Sequence, residues 1–174
     1  MFKSINQNKS KENKLYNKIL LLSRNKFFYT QLLLNDTFQN RIYLIFLHVS
    51  FLFIKLKKNN DNVHYKEFYQ NMFDIIFQKI ELNMRELGYG DVTVNRSMRL
   101  LIKIFYTILL DAEKYVEKSL ENKKKFLTKY LVFHSDKKTS NNNGLVAYFD
   151  KYRTFCLDLS LDSVLKGDIY FTYK

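Results

Sequence analysis

The sequence predicts an all-α fold, a single compact multi-helix domain with short loops, and three observations carry that expectation. Residues 66–87 and 98–116 each hold an apolar stripe at spacings of three and four, the repeat of one helix face. Alternation at a period of two, which marks a half-buried strand, is confined to Val92–Val94 and the last few residues. The chain has 174 residues and is 47% hydrophobic, enough for one core. A domain of this size buries roughly 68–70% of the surface its unfolded chain exposes.

The opening MFKSINQNKSKENK is basic and polar, without the apolar run of a secretory signal or the Arg-rich amphipathicity of a mitochondrial presequence. Residues 1–14 are therefore expected to be a short disordered basic tail and 15–174 the folded domain. LYNKILLL places a first helix near 14–23, and NKFFYTQLL a second short one near 25–33. Asn35, Asp36 and Thr37 then offer side-chain oxygens that can accept from the orphan N–H groups of a first turn. They start a helix expected at about 37–57, whose closing Lys57 and Lys58 complement the negative end of the helix dipole. Within it IYLIFLHVSFLFI, residues 42–54, is the most apolar run. It would reach only about 20 Å as a helix, against about 30 Å for a bilayer core, so it reads as a core helix. The Leu100–Leu110 run is interrupted by Lys103 and also fails as a span.

A loop at 59–62 precedes the strongest helix signal. Tyr69, Met72, Phe73, Ile76, Phe77, Ile80, Met84 and Leu87 share one face of a helix over 66–87, and Gly88 follows as a left-handed C-cap. GYGDVTV, residues 88–94, is expected to form a compact turn. Asn95 or Ser97 would then cap a helix running to about 120, with Met98, Leu101, Ile102, Phe105, Leu109, Ala112 and Val116 inward. A helix over 123–133, a polar loop over 134–144, a helix over 145–157 and a short capped helix closed by Gly167 complete the chain, followed by an extended tail.

Composition removes several functions. One Cys excludes a disulfide framework and any multi-Cys zinc site. His48, His64 and His134 stand in unrelated contexts, none at metal-ligand spacing, so no metal or cofactor is expected. His48 reads as a hydrogen-bonded core histidine before a functional one, and Cys156 as a buried hydrophobe before a nucleophile. Gly88-Tyr89-Gly90 lacks the third glycine of a dinucleotide turn, and no P-loop is present. Asp74 and Glu81 read as solvated surface acids, with Glu81, Arg85 and Glu86 placed to pair along a helix, rather than as a catalytic couple. Nothing here supports an enzyme.

The 29 Lys and Arg against 17 Asp and Glu give a net charge of +12. The excess lies in Lys3–Lys26, Lys55–Lys58 and Lys123–Lys138, interleaved with Phe and Tyr. It favours anionic partners such as ribosomal RNA or acidic phospholipid. The absence of Pro and the wealth of Lys, Asn, Ile, Phe and Tyr also fit an AT-rich genome, and a codon-biased solvated face is the competing reading.

Two blocks carry a family resemblance. LLLNDTFQNR followed by IYLIFLHVS resembles a PDTFDGR pattern and an apolar helix with LH near its middle, matched at Asp36-Thr37-Phe38 and Arg41. FYQNMFDIIFQKIELNMRELGYGDVTV resembles QxLFDxMFxDMDxxLREMGVGDxxV, in register at Arg85, Glu86, Leu87, Gly88, Gly90 and Asp91. The pattern is that of the ubiquinol-cytochrome c chaperone family of mitochondria and alphaproteobacteria, and the likeness extends over about 15–171. The chain departs from it at Asn35 and Asn95, where the family has prolines, at Asn40 for a glycine, at Ile80-Glu81, and at Thr107-Ile108 for a Gly-Arg pair.

The resemblance implies a non-enzymatic chaperone that binds cytochrome b, nascent or newly inserted, and supports assembly of the ubiquinol-cytochrome c reductase (complex III) of the respiratory chain. It also implies a small partner protein and a ribosome contact, and makes Asp36, Arg41, Arg85, Glu86 and Asp91 the client- or partner-binding candidates. Arg85 with Asp91 could instead brace the turn through a partly buried ion pair, and Asp36 could simply cap a helix. No DNA partner is expected. The expected setting is a bacterial cytoplasm, with peripheral contact at the acidic surface of the inner membrane, in preference to a mitochondrial matrix. The alternative is a basic ribosome- or RNA-associated protein without a cytochrome b client.

Overall fold

The computed structural model describes residues 2–57, 63–134 and 142–173, for 2–10 and 63–64 the backbone only. In chain order it contains α1 (Phe2–Ser23), α2 (Lys26–Thr30), α3 (Phe38–Lys57), α4 (Val63–Glu86), α5 (Asp91–Glu113), a 3-10 turn (Tyr115–Glu117), α6 (Leu120–Thr128), α7 (Asn142–Asp158) and α8 (Leu161–Leu165). The expected loop at 59–62 and residues 135–141 of the expected polar loop lie outside the described residues. Among the described residues there is no strand, only an isolated antiparallel bridge between Leu34 and Phe133.

α3 is the hub. Every residue from Ile42 to Phe53 is buried, because α1, α4, α5 and α7 pack around it. A helix apolar on all sides must be enclosed, and each fully buried Leu, Ile or Phe contributes about 1.5–3 kcal/mol. No described helix is long and apolar enough to cross a membrane. The expected stripe of α4 is the buried one at Met72, Ile76, Phe77, Ile80 and Met84, with Tyr69 and Phe73 half-buried beside it. Phe46, Phe73, Phe77 and Phe105 join α3, α4 and α5 at ring-centroid distances of 4.5–5.8 Å.

Several boundaries differ from expectation. α1 begins at Phe2, so the expected division between tail and domain at residue 14 falls inside a helix, and Glu12 on it is buried with its Oε1 accepting from the Asn71 amide. α5 begins at Asp91, with Val92–Val94 helical and Asn95 and Ser97 inside the helix instead of capping it. Gly90 is the N-cap, the Val94 N–H bonds to its carbonyl, and the Asp91 carboxylate sits in the first turn, where the dipole favours negative charge. The three β-branched residues Val92, Thr93 and Val94 each cost only tenths of a kcal/mol in a helix, about 0.7 per residue at most. α5 stops at Glu113, short of 120. The chain tightens so that Tyr115 is buried against Phe51 and Phe126, while Val116, expected inward, is 57% exposed. α6 starts early at the Ser119 cap and ends at Thr128. Residues 131–134 then run extended beside 33–35, through bonds from Asn35 N–H to Val132 O and from His134 N–H to Leu33 O.

Gly88 behaves as expected. Its φ is +87°, its N–H bonds to the Arg85 carbonyl and the Tyr89 N–H to the Met84 carbonyl, the paired bonds that close a helix in a Schellman motif. Gly167 repeats the motif after α8 with φ +69°, and a Cβ there would lie 2.8 Å from the Lys11 carbonyl oxygen and 3.0 Å from the Leu15 nitrogen on α1. Gly88→Ala is therefore expected to cost about 1 kcal/mol from backbone strain alone. Gly167→Ala should cost more, since α1 must also give way. Urea midpoints of the two variants check the order, and equal midpoints would contradict it.

Candidate functional site

Asp36 lies in the loop before α3 and Arg41 in its first turn. Thr37 is the side chain that caps, its Oγ1 accepting from the Asn40 N–H at 3.2 Å. Asp36 instead holds Arg41 with two bonds, Nε to Oδ1 at 2.7 Å and an Nη to Oδ2 at 2.8 Å. The guanidinium draws the Asp36 carboxyl below its ordinary range. Both side chains are about half exposed, so the pair adds little to stability but presents a fixed, oriented charge couple. Asn40, where the resembled pattern has glycine, is buried. Its amide nitrogen donates to the Asn35 and Val132 carbonyls and its oxygen accepts from the Val132 N–H, tying the start of α3 to the extended 131–134 segment.

Arg85 ends α4 and bonds Glu81 Oε1 at 2.9 and 3.1 Å and Asp91 Oδ1 across the Gly88–Gly90 turn. The brace expected from the sequence is present, although it is solvent-exposed, 42% and 78% at Arg85 and Asp91, where partial burial was expected.

The five candidates separate into two groups. Arg41 and Glu86 line one groove of about 250 Å³, where the end of α1, the start of α3 and the end of α4 meet. Its walls are Tyr16, Leu20, Phe38, Ile42, Ile45 and Ile80, with Arg24 and Asn83 at the polar edge and Leu87, 61% exposed, at the lip. Asp36 reaches this groove through Arg41. Arg85 and Asp91 stand on the adjoining turn and do not line it. The groove can grip an apolar side chain in its walls while Arg41 and Arg24 or Glu86 pair with a polar group beside it.

A second, larger groove of about 470 Å³ was not legible in the sequence. It lies between the C-terminal end of α3, the start of α4 and the end of α5, walled by Phe53, Leu56, Tyr69, Tyr106, Leu109 and Leu110 and edged by the 2.6 Å Lys57–Glu113 pair. Burial pushes the Tyr69 hydroxyl up to about 12. It touches none of the five candidates. The only signal for it was the exposed aromatic and aliphatic content of α5, which cannot be located without knowing which helices flank it.

His48 and Cys156 fall where expected. His48 is fully buried, with Nδ1 2.6 Å from the Leu44 carbonyl and Nε2 2.8 Å from the Tyr148 hydroxyl. Cys156 is buried and its thiol is pushed up to about 12, far from the thiolate a nucleophile needs. The His64 side chain lies outside the described residues, and His134 is exposed beside the Leu34–Phe133 bridge. Among the described residues no group of His, Cys, Asp and Glu could hold a metal ion.

Part of the positive charge that stood out in the sequence is engaged within the fold. Lys14 pairs with Asp168 at 2.5 Å, Lys123 with Asp150 at 2.9 Å and Lys57 with Glu113, while Lys18 lies over the Tyr170 ring at 4.3 Å.

The fold is similar to that of the Cbp3 homolog from Brucella abortus, known from a crystal structure, with a TM-score of 0.83 over 98% of this chain and 93% of that one. The identity is 23%, so this likeness establishes the fold. No curated protein sequence matches the chain. The family profile described as Ubiquinol-cytochrome C chaperone matches residues 30–171, a span that contains both grooves' α3, α4 and α5 walls and all five candidate residues. By that match over most of its length, the chain belongs to the ubiquinol-cytochrome C chaperone family, which serves the assembly of complex III.

Proposed function

We propose that this chaperone binds newly made cytochrome b and holds it for assembly into complex III, using the groove beside Arg41 and Glu86. The observation that carries the proposal is the coincidence of motif and geometry. Two of the five residues singled out by the family pattern, Arg41 and Glu86, sit on the rim of an open groove whose walls are apolar. A client built of apolar helices needs such walls until its partners arrive, and a side-chain-lined groove is how a folded surface takes an amphipathic segment. The exposed Asp36–Arg41 pair fits this reading, because the fold gains little from it. Family membership supports a non-enzymatic role.

Arg41→Gln tests the site. The fold should keep its stability to within about 1 kcal/mol, since the pair is exposed. Loss of a charged hydrogen bond to the client, about 1.5–3 kcal/mol, should weaken co-purification of cytochrome b by tenfold or more. Assembled complex III, measured in a deletion strain complemented with each variant, should fall in parallel. If wild-type protein never co-purifies with cytochrome b and the deletion leaves complex III untouched, the reading is wrong. A ribosome- or RNA-associated role then takes its place.

The proposed setting is the bacterial cytoplasm at the inner membrane, where cytochrome b is inserted. A ribosome contact and a small partner protein belong to the same proposal. Low-salt pull-down of the tagged protein should recover both, and loss of the ribosome at higher salt would mark the contact as electrostatic.

A further inference from the structure

The outer face of α5 is unlike any surface the sequence singled out. Val92, Leu100, Tyr106 and Leu110 are 84%, 58%, 44% and 61% exposed along it. Arg96, Arg99 and Lys103, also exposed, stand between them. These positions fall at the three- and four-residue spacing of one helix face, about 27 Å long from Val92 to Leu110 at 1.5 Å per residue. The opposite face, Val94, Leu101, Phe105, Ile108 and Ala112, is buried against α3 and α4.

The acids of α5 lie near its ends and already have partners. Asp91 pairs with Arg85, Asp111 lies 3.8 Å from Lys118 and Glu113 lies 2.6 Å from Lys57. Arg96, Arg99 and Lys103 make no ion pair among the described residues, so the middle of the face is an uncompensated row of cations. Tyr106 and Leu110 also wall the larger groove, which continues the apolar surface inward from the face.

We propose that this face of α5 docks on an anionic phospholipid surface, with the helix lying flat. Val92, Leu100 and Leu110 enter the headgroup–acyl boundary, while Arg96, Arg99 and Lys103 take lipid phosphates. Each basic residue near an anionic leaflet is worth about 1 kcal/mol, and the protruding aliphatic side chains beside them add apolar area that the headgroup–acyl boundary can bury. RNA fits less well, because single-stranded RNA is held by aromatic rings that stack on bases, and Tyr106 is the one ring among the four apolar residues of the face. An apolar client helix would leave the three cations unanswered. No described helix can span a bilayer, so the contact is peripheral. The inference goes beyond the client reading and does not depend on it, since the cytochrome b groove is walled by α1, α3 and α4 and contains no residue of α5.

The chain has no Trp, so Leu100→Trp places the sole indole on the proposed surface. Its emission should shift to the blue on adding vesicles of phosphatidylcholine with phosphatidylglycerol, and stay unchanged with phosphatidylcholine alone. A control Lys79→Trp, on the exposed side of α4, should not shift with either. Replacing Arg96, Arg99 and Lys103 together by Gln should weaken co-sedimentation with the anionic vesicles by about 100-fold, each basic residue contributing about fivefold. All three are exposed, and an unchanged melting temperature shows the fold intact.

The proposal is overturned if the wild type does not sediment with anionic vesicles at low salt. It is also overturned if the protein sediments without an indole shift at position 100, which places the contact elsewhere. Tight binding of RNA that depends on the same three cations, with no indole shift on vesicles, assigns the face to RNA instead.

Discussion

Replacing Phe105 by Ala is expected to cost about 3–5 kcal/mol, the range for deleting a fully buried aromatic ring. Phe105 is fully buried and its ring lies 5.2–6.0 Å from those of Phe46, Phe53, Phe73 and Phe77. The rings come from three helices, so the cavity would open where α3, α4 and α5 meet and no single element could collapse into it. A domain with about 5–15 kcal/mol of stability loses a large share at once, and the melting temperature should drop by about 6–20 °C. Phe77→Ala should fall near the lower end of the same range, because Phe77 keeps slight exposure at the edge of the cluster. Denaturant titration reads both. A Phe105 variant with an unchanged midpoint and slope would mean that these helices are not packed on one another as described.

Acidification below neutral pH should destabilise the fold through His48. Its Nδ1–H donates to the Leu44 carbonyl, which leaves Nε2 as the acceptor for the Tyr148 O–H, an arrangement of the neutral ring. Burial lowers its pKa from 6.5 to about 4. Between those values the unfolded chain takes up a proton at this site and the folded protein does not. The contribution is therefore complete above pH 6.5 and is lost progressively as pH falls toward 4, about 3 kcal/mol in all. His48→Gln should flatten the pH dependence of stability over that interval, at the cost of a lower plateau at neutral pH. The Asp36 and Asp168 carboxyls, drawn down by Arg41 and Lys14, respond in the same direction at lower pH. Both are exposed and contribute little. A wild-type curve that stays flat from pH 7 to pH 4 would show that His48 protonates freely in the folded state.

The features that depend on neighbours along the chain were legible in the residues alone. Helix periodicity at 66–87 assigned the buried face of α4, Gly88 could be recognised as a left-handed cap, and the length of the 42–54 run marked a core helix. Each rests on local geometry or on hydrogen bonds between residues six or fewer positions apart. The motif residues Asp36, Arg41, Arg85, Glu86 and Asp91 were also legible, as types at spacings. Their division into a groove-lining set and a turn brace was not.

Features that depend on distant partners emerged with the packing of the helices. α5 stops at Glu113 because Tyr115, rather than Val116, finds a buried place against Phe51 and Phe126, and no local pattern distinguishes the two. Glu86 meets Arg41 in one groove only because α4 returns beside α3. The sequence also placed the useful positive charge in its lysine runs. The fold pairs Lys14, Lys57 and Lys123 with acids from 27 to 154 positions away, and leaves Arg96, Arg99 and Lys103 facing outward on α5. Charge along a chain is additive, whereas the field at a surface depends on which charges the fold brings within a few ångströms of one another.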